Sequence, residues 1–201
     1  KLWNYYLIDE APHYGLDLVT PDQQYTVAQF QKYAYKIIDD IFSRGKIPFL
    51  VGGTPLWMSA ILEGYIIPKG PGKLRLKLEK LSTSTLIQKL QKLDPVASQK
   101  IDPQNKRRLV RALEVCLLTN KPFSREQKKT KPNFEALILG IELPREKLYR
   151  RIDSRVDRMF EGGGVDEVKG LVKKYGPDAP GLNSIGYREI IAGLQAGQNE
   201  K

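Results

Sequence analysis

The sequence predicts an α/β fold, a parallel sheet flanked by helices and interrupted by a helical insertion, and three observations predict it. Val27 to Arg44 has apolar residues at helical spacing, a short apolar run follows at Ile47 to Val51, and Gly52-Gly53-Thr54-Pro55 then opens another helix. Helix, buried strand, glycine turn, helix is the order in which a parallel sheet is built. A second continuous apolar run, Ala136 to Ile141, returns to such a sheet. Between the two runs the leucines recur at helical period, which breaks the alternation and reads as the insertion.

Each element has a local reason. Val27, Phe30, Ala34, Ile37, Ile38 and Ile41 make one helical face, and Gly45 terminates it. Pro55 suits a first helical turn because its fixed φ matches and its missing N–H would have no intrahelical acceptor. The helix then runs Leu56 to Leu62 and closes at Glu63-Gly64. Gly70-Pro71-Gly72-Lys73 has neither the spacing of a phosphate loop nor a hydroxyl after its lysine, and reads as the hinge into the insertion. Within the insertion, Leu74, Leu78 and Leu81, then Leu86, Leu90 and Leu93, then Leu109, Leu113 and Leu117 mark three helices. Arg145 to Gly162 is amphipathic, with Leu148, Ile152, Val156, Met159 and Phe160 on one face and Arg151, Arg155 and Arg158 on another. A helix over Val165 to Tyr175, a turn at Asn183 to Arg188 and a last helix over Glu189 to Ala196 complete the chain. The predicted organisation is a discontinuous core, 1–68 with 133–201, and an insertion over 69–132.

Charge separates these parts. Residues 69 to 132 hold seventeen Lys and Arg against five Asp and Glu, whereas the remainder holds sixteen against eighteen. A near-neutral body with one cationic section fits a polyanion-binding appendage; a solvated helical hairpin is the plainer alternative. One cysteine, Cys116, excludes a disulfide within these 201 residues. No apolar run approaches membrane-spanning length and no signal-peptide pattern opens the chain, so a soluble, cytoplasmic monomer is expected. Lys1 is not preceded by Met, and the chain reads as a fragment.

Few motifs carry chemistry. Gly52-Gly53-Thr54 sits where open α/β sheets bind ligands, between a strand's carboxyl end and a helix N-terminus; an ordinary tight turn is the alternative. Lys106 to Val115 opens a helix with three arginines in five residues, in which Arg107 and Arg111 share a face. Guanidinium forks suit phosphates, and a solvated face with a salt bridge to Glu114 is the competing reading. His13, the only histidine, has no evident orienting partner, and no Cys/His cluster exists for zinc.

Five segments in order then resemble the tRNA dimethylallyltransferases, the isopentenyl-tRNA transferases. They are Pro12-His13 through Phe30; Leu50-Val51-Gly52-Gly53-Thr54 with Leu62-Glu63-Gly64; Asp102-Pro103 with Arg107 through Val115; Leu148 through Met159; and Ser184-Ile185-Gly186-Tyr187-Arg188-Glu189. The resemblance runs over nearly the whole chain. It implies a core like the P-loop nucleotide kinases and transfer of a dimethylallyl group from its diphosphate to the N6 amine of the adenosine beside the anticodon. Mg²⁺ is implied as cofactor, and the anticodon stem-loop of tRNA and dimethylallyl diphosphate as partners. Thr54 and Arg155 take the catalytic roles, with Gly52, Gly53 and Arg151 binding substrate. Arg75, Arg107, Arg108, Arg111, Gly186, Tyr187 and Arg188 are implied to contact tRNA. The family's phosphate loop and general-base Asp precede the point matching Lys1, its C-terminal helices are also missing, Pro55 replaces a usual Gly, and Asn183 is unusual. The 201 residues alone are therefore expected to bind tRNA weakly and not to prenylate it, and a non-catalytic RNA-binding module on a degenerate P-loop scaffold is the alternative.

Overall fold

The computed structural model describes residues 5–67, 72–125 and 129–197. The chain divides into two compact units, Lys1–Pro48 with Ala136–Lys201, and Phe49–Glu135. The second unit is helical: α2 (Pro55–Leu62), α3 (Gly72–Glu79), α4 (Thr83–Leu93), α5 (Pro95–Lys100) and α6 (Lys106–Thr119), followed by a 3-10 turn at Phe123–Arg125. In the first unit, β1 (Tyr6–Ile8) and β2 (Ala11–His13) precede α1 (Val27–Ser43). Later come α7 (Arg145–Glu161), α8 (Gly164–Tyr175), a 3-10 turn at Pro180–Leu182 and α9 (Tyr187–Gln195).

The leucine repeats of the cationic section do what their spacing implies. Leu78, Leu86, Leu90, Leu109 and Leu113 are buried with Val110, Ala112 and Cys116 in one cluster, and α3 and α4 both pack on α6. Fully burying a leucine stabilises by roughly 1.5–3 kcal/mol, so these side chains dominate the unit. Leu93 and Leu117 remain exposed, being the last of their series, where the helix face turns away from the cluster. Side-chain caps set the helix starts: the Ser82 hydroxyl accepts from the Thr85 N–H and the Asn105 side chain from the Arg108 N–H.

Asp94 joins the helices end to end. It is 2% exposed, closes α4 through its own N–H and opens α5 by accepting the Ala97 N–H at 3.0 Å. The same carboxylate accepts the Ser124 N–H at 2.7 Å and the Ser124 hydroxyl at 3.0 Å, thirty residues along the chain. Burial alone would raise its pKa, but the donors from Ser124 and Ala97 outweigh that and hold it below the usual carboxylate range.

In the first unit α1 begins with a reciprocal cap, in which Thr26 accepts from the Gln29 N–H and the Gln29 side chain accepts from the Thr26 N–H. Ala34, Ile37 and Ile38 form its buried stripe. A second small core joins Val168 of α8 to Ala179, Leu182 and Ile191 of α9. Gly181 donates to the Pro21 carbonyl at 2.8 Å, tying this C-terminal core to the loop ahead of α1.

The predicted parallel sheet is corrected by the structure. Among the described residues the only sheet is the antiparallel pair β1–β2, turned by Asp9 and Glu10, both at positive φ. Residues 47–51 and 136–141 form no ladder, and Phe49, Val51 and Ile141 are 85%, 89% and 93% exposed. An apolar run specifies burial, whereas a strand needs a neighbour to receive its N–H and C=O groups, and these runs pair neither with each other nor with other described residues. The apolar face expected on α7 is present in sequence but uncovered, since α7 has no buried residue. Gly70 and Pro71 of the expected hinge, with Lys69, lie outside the described residues; Gly72 and Lys73 begin α3.

Replacing Asp94 by Asn puts an amide donor where the carboxylate accepts, and the expected cost is about 3 kcal/mol, as for loss of a hydrogen bond to a charged group with a buried donor left over. Because the native pKa is depressed, the contribution of Asp94 is present above the ordinary carboxylate value of about 3.9 and is lost as pH falls through the native value. Urea unfolding of both proteins from pH 7 to 2.5 should show the difference shrinking towards the acid end.

Candidate functional site

Thr54 caps α2 by position alone. Its carbonyl receives the Trp57 N–H at 3.2 Å, but its side chain makes no capping bond and the residue is exposed. The hydroxyl is thus not committed to its own helix. Pro55 removes the N–H at the first helical position. Gly52 and Gly53 precede it in extended loop, and a methyl group on Gly53 would meet open space. Open backbone beside an uncommitted hydroxyl lets a ligand approach closely, and nothing in the turn itself demands glycine there.

Arg155 lies in a different setting. Together with Arg150, Arg151 and Arg158 it lines an open cleft of about 680 Å³ along α7, to which Leu143, Leu148 and Ile152 also contribute. Arg158 donates to the Ser154 carbonyl at 3.1 Å, and Arg155 forms no ion pair with Asp153 or Asp157 among the described residues. Four guanidinium groups over apolar walls fit a ligand with a multiply charged head and a hydrocarbon tail. The periodicity singled out Arg151, Arg155 and Arg158; Arg150 and Ser154 escaped it because they lie at the border of that face, although Arg150, Ser154 and Arg158 stand four apart.

The cationic residues of the helical unit divide by what they already bind. Arg75 on α3 pairs with Glu79 at 2.9 Å. Arg107 and Arg108, in the first turn of α6, are exposed. Arg111 reaches the Glu114 carboxylate at 2.6 Å, and Glu114 is 2% exposed. The salt bridge to Glu114 is formed, by Arg111, while the first turn of the helix presents Arg107 and Arg108 to solvent.

Gly186, Tyr187 and Arg188 belong to the other unit and each has a local partner. Gly186 sits at φ 95°, the left-handed side that favours glycine, and its N–H donates to Glu189 at 2.6 Å. Arg188 donates to the same carboxylate at 2.8 Å, and these donors, Arg188 first, lower the pKa of Glu189. Tyr187 donates to Glu167 of α8 at 2.6 Å, which raises the tyrosine pKa. Among the described residues no group of three His, Cys, Asp or Glu side chains fits a metal ion, and no helix is long and apolar enough to cross a membrane.

The IPP transferase family model matches residues 7–201. The chain is similar to the tRNA dimethylallyltransferase of Thermomicrobium roseum, 40% identical over 191 residues that cover 92% of this chain and 58% of that protein. It is 43% identical over 185 residues to the enzyme of that name from Herpetosiphon aurantiacus, covering 89% and 59%. Among solved structures it resembles the tRNA delta(2)-isopentenylpyrophosphate transferase of Staphylococcus epidermidis, with TM-score 0.58, 34% identity and coverage of 96% of this chain and 65% of that one. A eukaryotic dimethylallyltransferase acting on tRNA gives TM-score 0.68 at 26% identity, covering 90% and 51%. The chain spans about three fifths of the length of the curated relatives it matches.

Arg111→Ala leaves the Glu114 carboxylate buried beside no guanidinium at that position, and should cost about 3 kcal/mol of stability. Arg107→Ala, on the exposed first turn, should stay within about 0.5 kcal/mol. Denaturant unfolding of the two variants separates the structural arginine from the free one.

Proposed function

We infer a function from one established premise: the chain belongs to the IPP transferase family. We propose that the protein of which it is part transfers a dimethylallyl group from dimethylallyl diphosphate to the N6 amine of the adenosine beside the anticodon of tRNA. The observation that carries this reading is the match that runs in order from residue 7 to residue 201. The likeness to P-loop nucleotide kinases belongs to the same proposal: residues 47–51 and 136–141, apolar and uncovered, are the edges that a parallel sheet would take up.

In this reading the N6 amine attacks the allylic carbon as the carbon–oxygen bond to the diphosphate breaks, and the amine proton passes to a carboxylate base. Thr54 offers a hydroxyl uncommitted to its helix, suited to orient acceptor and base, with Gly52 and Gly53 giving the ligand close access to backbone. Arg155, seconded by Arg151, binds the diphosphate and holds the charge that departs with it. The donor's diphosphate makes Mg²⁺ the expected cofactor. The insertion over 69–132 grips the anticodon stem-loop through Arg75 of α3 and Arg107 and Arg108 of α6, with Arg111 stiffening α6, and Gly186, Tyr187 and Arg188 add further contacts. The non-catalytic RNA-binding module is the second reading, favoured by the cationic helical unit, which needs no chemistry to bind RNA.

Labelled donor and tRNA given to the full-length protein decide between the two: transfer supports the enzyme, and binding without transfer supports the module. Thr54→Ala should lower kcat more than it raises either Michaelis constant. Arg155→Ala should weaken donor binding and slow turnover by about 10² to 10³, the loss typical of one missing oxyanion donor. Arg107→Ala should weaken tRNA binding alone and reduce the slope of log K against log salt by about 0.7 to 0.9, as expected when one phosphate contact disappears.

A further inference from the structure

We propose that the clasp between Glu63-Gly64-Tyr65 and Lys129-Thr130 is a positioning device that holds Thr54 in register with the RNA-gripping helix α6; it rests on the prenyltransferase reading above. The clasp begins where α2 ends. Gly64, at φ 62°, turns the chain in the left-handed sense, and the Tyr65 N–H returns to the Ala60 carbonyl at 3.2 Å. The returning chain crosses this turn: the Thr130 N–H donates to the Gly64 carbonyl at 2.8 Å, and Tyr65 and Lys129 form an antiparallel bridge. A side chain at position 64 would place its Cβ 1.7 Å from the Thr130 carbonyl oxygen, so the crossing is closed to every residue but glycine. Around it the Lys129 ammonium pairs with the Glu63 carboxylate and lies 5.4 Å from the centre of the Tyr65 ring, while the Tyr65 hydroxyl donates to Glu63 at 3.2 Å.

The placement of these groups gives them a role beyond local order. Residues 63–67 lead out from α2 towards the helical cluster, and Lys129-Thr130 lead back from it. Ahead of the returning thread, the turn at Phe123–Arg125 is fixed to the cluster: Ser124 is held by Asp94, and the Phe123 N–H donates to the Cys116 sulfur at 3.3 Å. The clasp therefore joins, at the C-terminal end of α2, the stretch of chain that precedes the cluster to the stretch that follows it. Thr54 stands at the other end of the same eight-residue helix, a rigid lever of about 12 Å. Any tilt of the clasp moves the Thr54 hydroxyl, and misplacement by about 1 Å can cost on the order of 10²-fold in rate. The Lys129–Glu63 pair is exposed, and such pairs add little to stability, so its loss should be felt in placement before it is felt in folding.

The test uses the full-length protein with Lys129→Glu, Glu63→Lys and the two together. Each reversal alone should lower kcat about tenfold, with tRNA affinity, donor KM and melting temperature close to wild type, and the double exchange should restore turnover. Single reversals with wild-type kcat, or a loss that accompanies unfolding and is not restored by the exchange, overturn the proposal. The distance distribution between spin labels at Thr54→Cys and Arg107→Cys gives a readout independent of activity: it should broaden in Lys129→Glu and narrow again in the exchange. An unchanged distribution overturns the proposal whatever the turnover. Absence of transfer by the wild-type protein overturns the prenyltransferase reading instead, and the label distances then still decide whether the clasp positions Thr54.

Discussion

One buried carboxylate organises the helical unit. Asp94 ends α4, begins α5 and holds the Ser124 turn from thirty residues away, so its two oxygens fix three pieces of backbone that leucine packing alone leaves free to slide. Hydrophobic burial is not directional; it brings α3, α4 and α6 together but does not choose their ends. A desolvated charge does choose, since it must find donors at hydrogen-bond distance or leave the core.

The two units use charge in opposite ways. In the helical unit the two buried acidic groups are spent inward, Asp94 on backbone and hydroxyl donors and Glu114 on Arg111, while Glu63 and Glu79 pair with cations at the surface. What remains at the surface is predominantly cationic, which is the condition for a field that reaches a polyanion. In the other unit acidic groups hold functional candidates locally. Glu167 anchors the Tyr187 hydroxyl, and Glu189 takes both the Gly186 N–H and the Arg188 guanidinium. Any new contact by Arg188 therefore exchanges one partner for another, whereas among the described residues no carboxylate holds Arg155.

Helices were legible in the sequence wherever a period and a stop signal coincided. The apolar face from Val27 to Ile41 with Gly45 after it places α1, and Pro55 with Glu63-Gly64 brackets α2, which runs Pro55–Leu62. Strands were not legible in the same way. Residues 47–51 and 136–141 have the composition of buried strands, but composition is a property of a segment and pairing is a property of two, and here no second segment receives them. For the candidate site, the sequence singled out Thr54, Arg155 and the α6 arginines. It did not separate Arg111 from Arg107, because which guanidinium meets a buried carboxylate depends on the packing of α6 against its neighbours. Asp94 and the Gly64–Thr130 crossing escaped it as well, since both join residues far apart along the chain.

Cys116 has a consequence for how the protein can be handled. Its sulfur lies within the helical cluster and accepts the Phe123 N–H, and burial pushes the thiol pKa up. Thiol reagents attack the thiolate, so the only sulfhydryl among these 201 residues is shielded both by access and by ionisation. Peroxide and maleimides should pass it by in the folded state and find it on unfolding. The rate of its alkylation is thus an intrinsic gauge of how often the interior of the cationic unit opens to water.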